Sequence, residues 1–284
     1  MDHIIVVDDG CPHSSGKEAE KSGRGNVIVI SHERNQGVGG AVVTGYGRAL
    51  ELGCDIVIKI DGDGQMDPRY ISSLVEPLIR NEADYTKGNR FRDFKALRLM
   101  PGTRLFGNSA LSFLVKVSSG YWNIMDPTNG YTAIHRRVLE KLNLEKMSKR
   151  YFFESDMLIN LNIVNAVVKD ISIPALYGDE ESALNVGSIL LQFPLRLMKG
   201  LARRIFLKYF LYDFNMASVY ILTGLPLFVF GVTFGLVEWM KSLASGIARP
   251  LGTIMIAVLS IILGFQLLLQ AVSIDISSIP KRER

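Results

Sequence analysis

The run Ile60-Asp61-Gly62-Asp63-Gly64-Gln65 ends a β-rich segment with two carboxylates separated by a single glycine. At a strand end this spacing can present oxygen ligands to one divalent cation. Mg2+ or Mn2+ favours carboxylates in company with diphosphate oxygens and water. The glycines permit tight turns and close approach of a ligand. An EF-hand loop is excluded, because no glutamate stands at its twelfth position. Two further polar groups follow β-rich runs in the same way, Asp8-Asp9-Gly10 and the stretch Asn35-Gln36-Gly37-Val38-Gly39. Taken singly, each also suits turn chemistry and helix capping. Taken together with the D-x-D, they form an ordered series that chance rarely supplies.

These residues need strands to carry them. β-Branched runs predict strands at 3–7, 27–31, 55–60, 84–87 and 166–173, and apolar spacing predicts helices at 37–52, 67–79, 105–117 and 138–144. Asp67-Pro68 supplies a helix start with proline near the first turn. Strands alternating with helices predict an α/β unit with a parallel sheet. Function in such sheets collects at the carboxyl ends of strands, where Asp8, Asp9, Asp61 and Asp63 fall. None of the four histidines has a ligand partner at helical spacing, and His135 reads as an ordinary polar or core histidine. No Cys/His cluster has zinc spacing, and two cysteines, Cys11 and Cys54, exclude a disulfide scaffold.

With 284 residues, 48% of them hydrophobic and 21% charged, the chain is neither disordered nor low in complexity. Its apolar excess lies in the last third. Residues 215–237 and 250–274 carry no charge in their apolar centres, and each run is long enough to cross a hydrocarbon core of about 30 Å. A helical hairpin with both ends on one side follows. Arg196, Lys199, Arg203, Arg204 and Lys208 precede the first run, and Lys281, Arg282 and Arg284 follow the second, whereas the connection holds only Lys241 and Arg249. The positive-inside rule then puts both flanks in the cytoplasm. Over residues 195–210, Met198, Leu201, Ala202, Ile205 and Tyr209 share one helical face and the five cations the other. That pattern predicts an interfacial helix on membrane lipids. The N-terminus lacks the basic flank and cleavage site of a signal peptide. The basic residues flank apolar spans rather than interleave with aromatics, which argues against nucleic acid as a partner.

The ordered set IIVVDDG, NQGVGGA, DGDGQ, KGNRF and DPTNGY resembles the GT-A glycosyltransferases of family 2. The later PALYGDEES, the basic helix and the paired spans resemble its membrane-anchored branch, the dolichol-phosphate mannose synthases and bacterial polyprenyl-phosphate glycosyltransferases. The QxxRW motif of processive synthases is absent. The resemblance implies an α/β, Rossmann-like GT-A domain (1–190), an amphipathic juxtamembrane segment (191–214), a transmembrane hairpin (215–274) and a basic cytoplasmic tail (275–284). It also implies an inner-membrane, multi-pass protein with its catalytic domain in the cytoplasm. Relatives normally begin with a further strand that holds the nucleotide base, and here the chain starts directly before IIVVDDG. The expected GT-A domain is therefore N-terminally incomplete.

The resemblance further implies a nucleotide-sugar donor, UDP- or GDP-linked, and a polyprenyl phosphate acceptor. Asp9 matches the aspartate that meets the base, with Asp8 and Asn35 beside it. Asp61, Asp63 and Gln65 match the ligands of Mg2+ or Mn2+. Arg90, Arg104 and Asn108 match positions that hold the acceptor phosphate, Arg104 and Asn108 being one helical turn apart. A guanidinium suits a phosphate because its planar fork donates two parallel hydrogen bonds. Asp126 matches the aspartate near the anomeric centre, and with Arg90 and Arg104 it completes the expected catalytic set. A hydroxyl acceptor would need Asp126 as general base, whereas a lipid phosphate is already an anionic nucleophile. In-line attack would invert the anomeric configuration. Residues 177–182 suit either a gate at the donor site or an acidic helix cap. Two other readings stay open, transfer to a lipid or glycan hydroxyl and a non-catalytic membrane partner. Self-association is open as well.

Overall fold

The computed structural model describes the backbone of residues 2–90, 102–174 and 186–282 and, within these, every side chain except those of 102–106, 108 and 186–191. Two compact units form, Met1–Arg204 with Pro280–Arg284, and Ile205–Ile279.

In the first unit the β-branched runs become strands: β1 (Ile4–Asp8), β2 (Val27–Ser31), β3 (Ile56–Lys59), β4 (Tyr85–Asn89) and, after an unanticipated β5 (Thr132–His135), β6 (Val168–Ser172). β1 and β2 pair in parallel, Ile4 opposite Val27 through Asp8 opposite Ser31. The other strands form a sheet in the order β3-β5-β4-β6. β4 and β6 are parallel, but β5 runs antiparallel to both neighbours. The wholly parallel sheet expected from the sequence is therefore corrected to a mixed one. Thr132 of β5 stands opposite Lys59 on one side and Lys87 on the other, so the row Lys59, Thr132, Lys87 crosses the sheet. Paired residues in adjacent strands share a face, and this row brings two ammonium groups to one side.

The helices are α1 (Ser15–Glu20), α2 (Val38–Glu51), α3 (Ile71–Ile79), α4 (Gly102–Ser119), α5 (Arg136–Leu139), α6 (Phe153–Ile163) and α7 (Val186–Phe206). Asp67 accepts from the Arg69 amide at 2.9 Å and Pro68 opens a 3-10 turn into α3, as the sequence predicts. α3 buries Leu74 and Leu78 against Ala83, Tyr131, Ala133 and Ile173, and full burial of each leucine is worth about 1.5–3 kcal/mol. The helix expected at 138–144 is instead the short α5, whose first turn His135 caps by accepting from the Arg137 amide, followed by a 3-10 turn at Leu144–Lys146. α6, which the sequence did not suggest, is buried on nearly every face.

α7 departs from the expected division of faces. Arg204 is buried, and its Nε and Nη2 donate to the carbonyls of Ser118 and Val117 at 2.9 and 3.0 Å. These carbonyls end α4, where a cation is favoured by the helix dipole. Met198 and Leu195, by contrast, are exposed. The expected polar face of five cations is thus corrected: Arg204 closes a helix end inside the protein. Any Cβ on Gly120, which has φ of 74°, would run into this guanidinium. At the far end of the chain, Arg282 joins Arg137 on the Asp84 carboxylate, at 2.6 and 2.8 Å.

In the second unit, α8 (Met216–Ser245) and α9 (Leu251–Ser277) are long and apolar enough to cross a membrane. Only 11% and 17% of their most apolar windows are buried, so most of that apolar surface faces outward, unlike a soluble core helix. α8 outruns the expected span because Trp239, Met240 and Leu243 continue its pattern, and Gly246, at φ 66°, ends it. Gly224 and Gly231 on α8 let Gly264, Leu267, Ser260 and Ile261 of α9 approach closely. Asn215 caps α8 by accepting from the Ala217 amide at 2.9 Å. Tyr209, in a π-helical turn at Leu207–Tyr212, donates to the buried Asp275 at 2.6 Å.

Candidate active site

Four charged side chains, from the end of β3, from β4 and from α6, meet through a chain of ion pairs. Asp61, just beyond β3, accepts from the buried Lys59 ammonium at 2.9 Å. Lys59 also reaches Glu154 Oε1 at 2.9 Å, and Lys87 reaches Glu154 Oε2 at 3.4 Å. Lys87 in addition donates to the Asn129 carbonyl. Glu154 lies in the first turn of α6, where the helix dipole favours an anion. Burial works against the Glu154 carboxylate, but Lys59 and Lys87 outweigh it and hold the group below its usual range. Burial likewise pulls on Lys59, and Glu154 with Asp61 lifts it above the ordinary lysine value. Lys87 goes the other way, since burial wins there and pulls it down. An unpaired charge at this depth is costly, so each member depends on the others.

Gly130 makes the approach possible. A Cβ there would collide with Lys59 Nζ and Asp61 Oδ2. The glycine of D-P-T-N-G-Y is thus required by the ion pair beneath it.

Asp126, at the start of that motif, is fully buried. Arg90, just past β4, grips it with two parallel bonds, Nε to Oδ2 at 2.8 Å and Nη2 to Oδ1 at 3.2 Å, and its backbone amide adds a third at 3.3 Å. Two residues expected in separate roles therefore form one unit. Asp170 on β6 stands behind it: Oδ2 accepts from Asn89 Nδ2 at 2.9 Å and from the Met125 amide at 2.7 Å. Burial pushes the Asp170 carboxyl up to about 6.

Asp8 and Asp9 lie at the end of β1. Asp8 accepts from the amides of Cys11 and Gly16, both at 2.8 Å, and these bonds hold its carboxyl below the usual range. Asp9 accepts from His32 Nδ1 at 2.7 Å and from the amides of Gln36 and Gly37 at 2.9 and 2.7 Å. Burial pushes its carboxyl up, but these donors outweigh it and leave it below the usual value. Asn35 is exposed on the same loop. Gly37 and Gly39 abut the chain leading into α6: a Cβ on either would strike the carbonyl of Lys149 or Ser148. The glycines of NQGVGGA therefore seat the Asp9 loop against the segment that delivers Glu154.

Asp63 is exposed and its Oδ1 accepts from the Gln65 amide at 3.0 Å, which closes the turn. Among the described residues, no three His, Cys, Asp or Glu side chains gather closely enough to hold a cation alone. Two carboxylates separated by one residue in sequence suit Mg2+, which usually takes one or two from protein and the rest from phosphate and water. Arg104 and Asn108 belong to α4, but their side chains lie outside the described residues, as do residues 177–182. Sequence reasoning missed Lys59, Lys87, Glu154 and Asp170. For the two lysines the available signal was a lysine set inside an expected strand, at DIVIKI and again at DYTKGN.

Residues 2–143 match the model of glycosyl transferase family 2. The UDP-N-acetylglucosamine–dolichyl-phosphate N-acetylglucosaminyltransferase of Methanococcus voltae is 36% identical over 189 residues, 60% of this chain and 75% of that protein. The polyprenol monophosphomannose synthase of Mycolicibacterium smegmatis is 30% identical over 187 residues, 63% of this chain and 68% of that protein. The glucosyl-3-phosphoglycerate synthase of Mycobacterium tuberculosis, solved with Mn2+, UDP and glucosyl-3-phosphoglycerate, is similar in fold, with a TM-score of 0.53 at 20% identity over 72% of this chain and 69% of that one.

Proposed function

The chain belongs to glycosyl transferase family 2, and on that premise we propose that it moves one sugar from a UDP- or GDP-linked donor to a polyprenyl phosphate, inverting the anomeric carbon. The relatives in Methanococcus voltae and Mycolicibacterium smegmatis carry such acceptors in their names, which supports the acceptor class. The observation that carries the reading is the fork between Arg90 and Asp126. Both Asp126 oxygens are engaged by a guanidinium, so the carboxylate is committed to an ion pair inside the protein rather than left open to an acceptor hydroxyl. That suits an acceptor that arrives already ionised and needs no base.

In this reading Asp61, Asp63 and Gln65 hold Mg2+ or Mn2+, which when bound supplies charge neutralisation of the departing nucleotide. Lys59 keeps Asp61 aimed by tying it to Glu154. Asp9, Asp8 and Asn35 shape the nucleotide end. Arg90 with Asp126 orients the donor sugar against the acceptor, and Arg104 and Asn108 receive the acceptor phosphate. Rate enhancement then comes from in-line positioning and electrostatics. The two apolar helices support membrane association, and the flanking cations support a cytoplasmic site on the inner membrane.

The test offers labelled UDP-glucose, UDP-N-acetylhexosamine and GDP-mannose, each with a polyprenyl phosphate and Mg2+ or Mn2+, to membranes carrying the protein. Label entering the organic phase from one donor, and lost with Asp63→Asn, is expected. Transfer to a hydroxylated acceptor in place of the lipid phosphate would overturn the reading.

A further inference from the structure

Asn89 and Met125 directly precede Arg90 and Asp126, and one carboxylate oxygen takes a hydrogen bond from each of them. We propose that Asp170 is a positioning residue for the pair formed by Arg90 and Asp126, its Oδ2 fixing at once the end of β4 and the loop that opens D-P-T-N-G-Y. The two segments lie well apart in sequence. β4 and the Met125 loop are separated by α4, and the fork between Arg90 and Asp126 needs both backbones placed to a few tenths of an ångström to keep its two parallel bonds. β6 is the edge strand beside β4, with Asn89 opposite Ser172, so its side chains stand on rigid structure. Asp170 Oδ1 is buried and has no hydrogen-bond partner among the described residues. A carboxyl retained there with half its bonding capacity unused is explained by the two bonds that the other oxygen makes.

Burial holds the Asp170 carboxyl at about 6, and the charged groups facing it are Lys87 from β4 and Asp126 from the loop. Lys87 favours the anion and Asp126, itself paired with Arg90, opposes it. Oδ2 accepts both bonds in either protonation state, and it accepts them more strongly as the anion.

This role rests on the proposed activity only for its effect on turnover; the clamp itself is a property of the fold. The full chain is prepared in membranes with Asp170→Asn, Asp170→Leu and Asn89→Ala, and amide hydrogen exchange of residues 121–130 is read beside kcat and KM. Asp170→Leu is expected to speed exchange at the Met125 amide and to lower kcat by about tenfold or more, with donor KM changed less, as lost positioning predicts. Asp170→Asn keeps an acceptor oxygen, so it should restore exchange and kcat to within about threefold of wild type and remove any step in kcat near pH 6. If Asp170→Leu does not fold, Asn89→Ala removes one of the two donors and should raise exchange and lower kcat by a few-fold. Wild-type exchange in Asp170→Leu, or in Asn89→Ala where that is the usable variant, overturns the proposal. So does equal loss in Asp170→Asn and Asp170→Leu. A wild-type protein that transfers no sugar would defeat the activity instead, and the exchange data would still decide the clamp.

Discussion

The Arg90 guanidinium and the Asp126 carboxylate face each other as two parallel forks, 2.8 and 3.2 Å apart, with Asp126 fully buried and Arg90 partly exposed. The cation is thus the solvent-facing half of a unit whose anion is inside. A ligand phosphate meeting Arg90 would meet a group already oriented, and Asp126 would feel that ligand through the shared guanidinium.

Asp126→Asn tests what this unit does. It keeps the shape and removes the charge that orients Arg90. Loss of positioning predicts a fall in kcat of about 10–100-fold with a lipid phosphate acceptor. Loss of an obligatory general base would be far more severe and would flatten the acid limb of the pH profile. Arg90→Lys should be nearly as damaging, because an ammonium cannot make two parallel bonds. Steady-state kinetics with each variant separate the two roles.

The buried network predicts non-additive stability. Glu154→Met leaves Lys87 with no carboxylate in contact and should cost about 3–5 kcal/mol. For a domain of this size that is a fall in Tm of roughly 10 °C. The double variant Glu154→Met with Lys87→Met removes the stranded charge, and Lys59 keeps Asp61. It should therefore be more stable than Glu154→Met alone. Thermal melts of the two variants check this; a double variant that melts lower would mean Lys87 contributes by packing instead.

That network also marks how far the sequence could be read. Strands β1 to β3 and β6 were legible as runs rich in β-branched residues that close near Asp or Ser, and β4 as a short Tyr-Thr stretch ahead of Gly88 and Asn89. β5 was not, since Thr132–His135 is only four residues long and buried on both faces, with no alternation to betray it. α6 was missed for a related reason: a helix buried on nearly every side has no polar stripe, and its Glu154, Asp156 and Asn162 break any simple apolar period. The D-x-D, Arg90 and Asp126 were legible as motifs. Their partners were not, because Glu154 lies far along the chain from both lysines, and only the antiparallel β5 brings Lys59 and Lys87 into one row.

Metal removal and Asp63→Asn should act on turnover alone. Asp63 is exposed, and asparagine can still accept from the Gln65 amide that closes the turn. Its Tm should stay within about 1 °C of wild type, as for surface substitutions generally. Chelation of divalent cations should stop transfer, and Mn2+ or Mg2+ should restore it in wild type but only weakly in Asp63→Asn. Activity assays before and after chelation, with melts alongside, distinguish a ligand defect from misfolding.

Asp170 predicts a pH dependence of stability with a definite sign. Its folded-state value, about 6, lies above the unfolded 3.8. Between those values the native state holds more protons than the unfolded one, so stability falls as pH rises through that window and levels off above it. The loss is on the order of 1–3 kcal/mol, from roughly two units at 1.4 kcal/mol each with allowance for partial exposure. Asp170→Asn cannot ionise. The stability difference between Asp170→Asn and wild type should therefore grow in favour of the variant from pH 4 to 6.5. Denaturant melts across that range measure it, and a difference that stays flat with pH would show that the carboxyl titrates normally.

The basic residues of α7 should divide into two kinds. Arg196 and Lys199 are exposed, whereas Arg204 is buried against the last carbonyls of α4. Replacing Arg196 and Lys199 together by glutamate should weaken sedimentation with anionic vesicles, since each cation near such a surface is worth about 1 kcal/mol. The same change should leave Tm nearly unaltered. Arg204→Met should do the reverse. It strips two hydrogen bonds from buried helix-end carbonyls, each costing about 1–3 kcal/mol when left unmade, while changing no lipid-facing charge. Vesicle binding lost with Arg204→Met at unchanged Tm would place that cation at the membrane and contradict its burial.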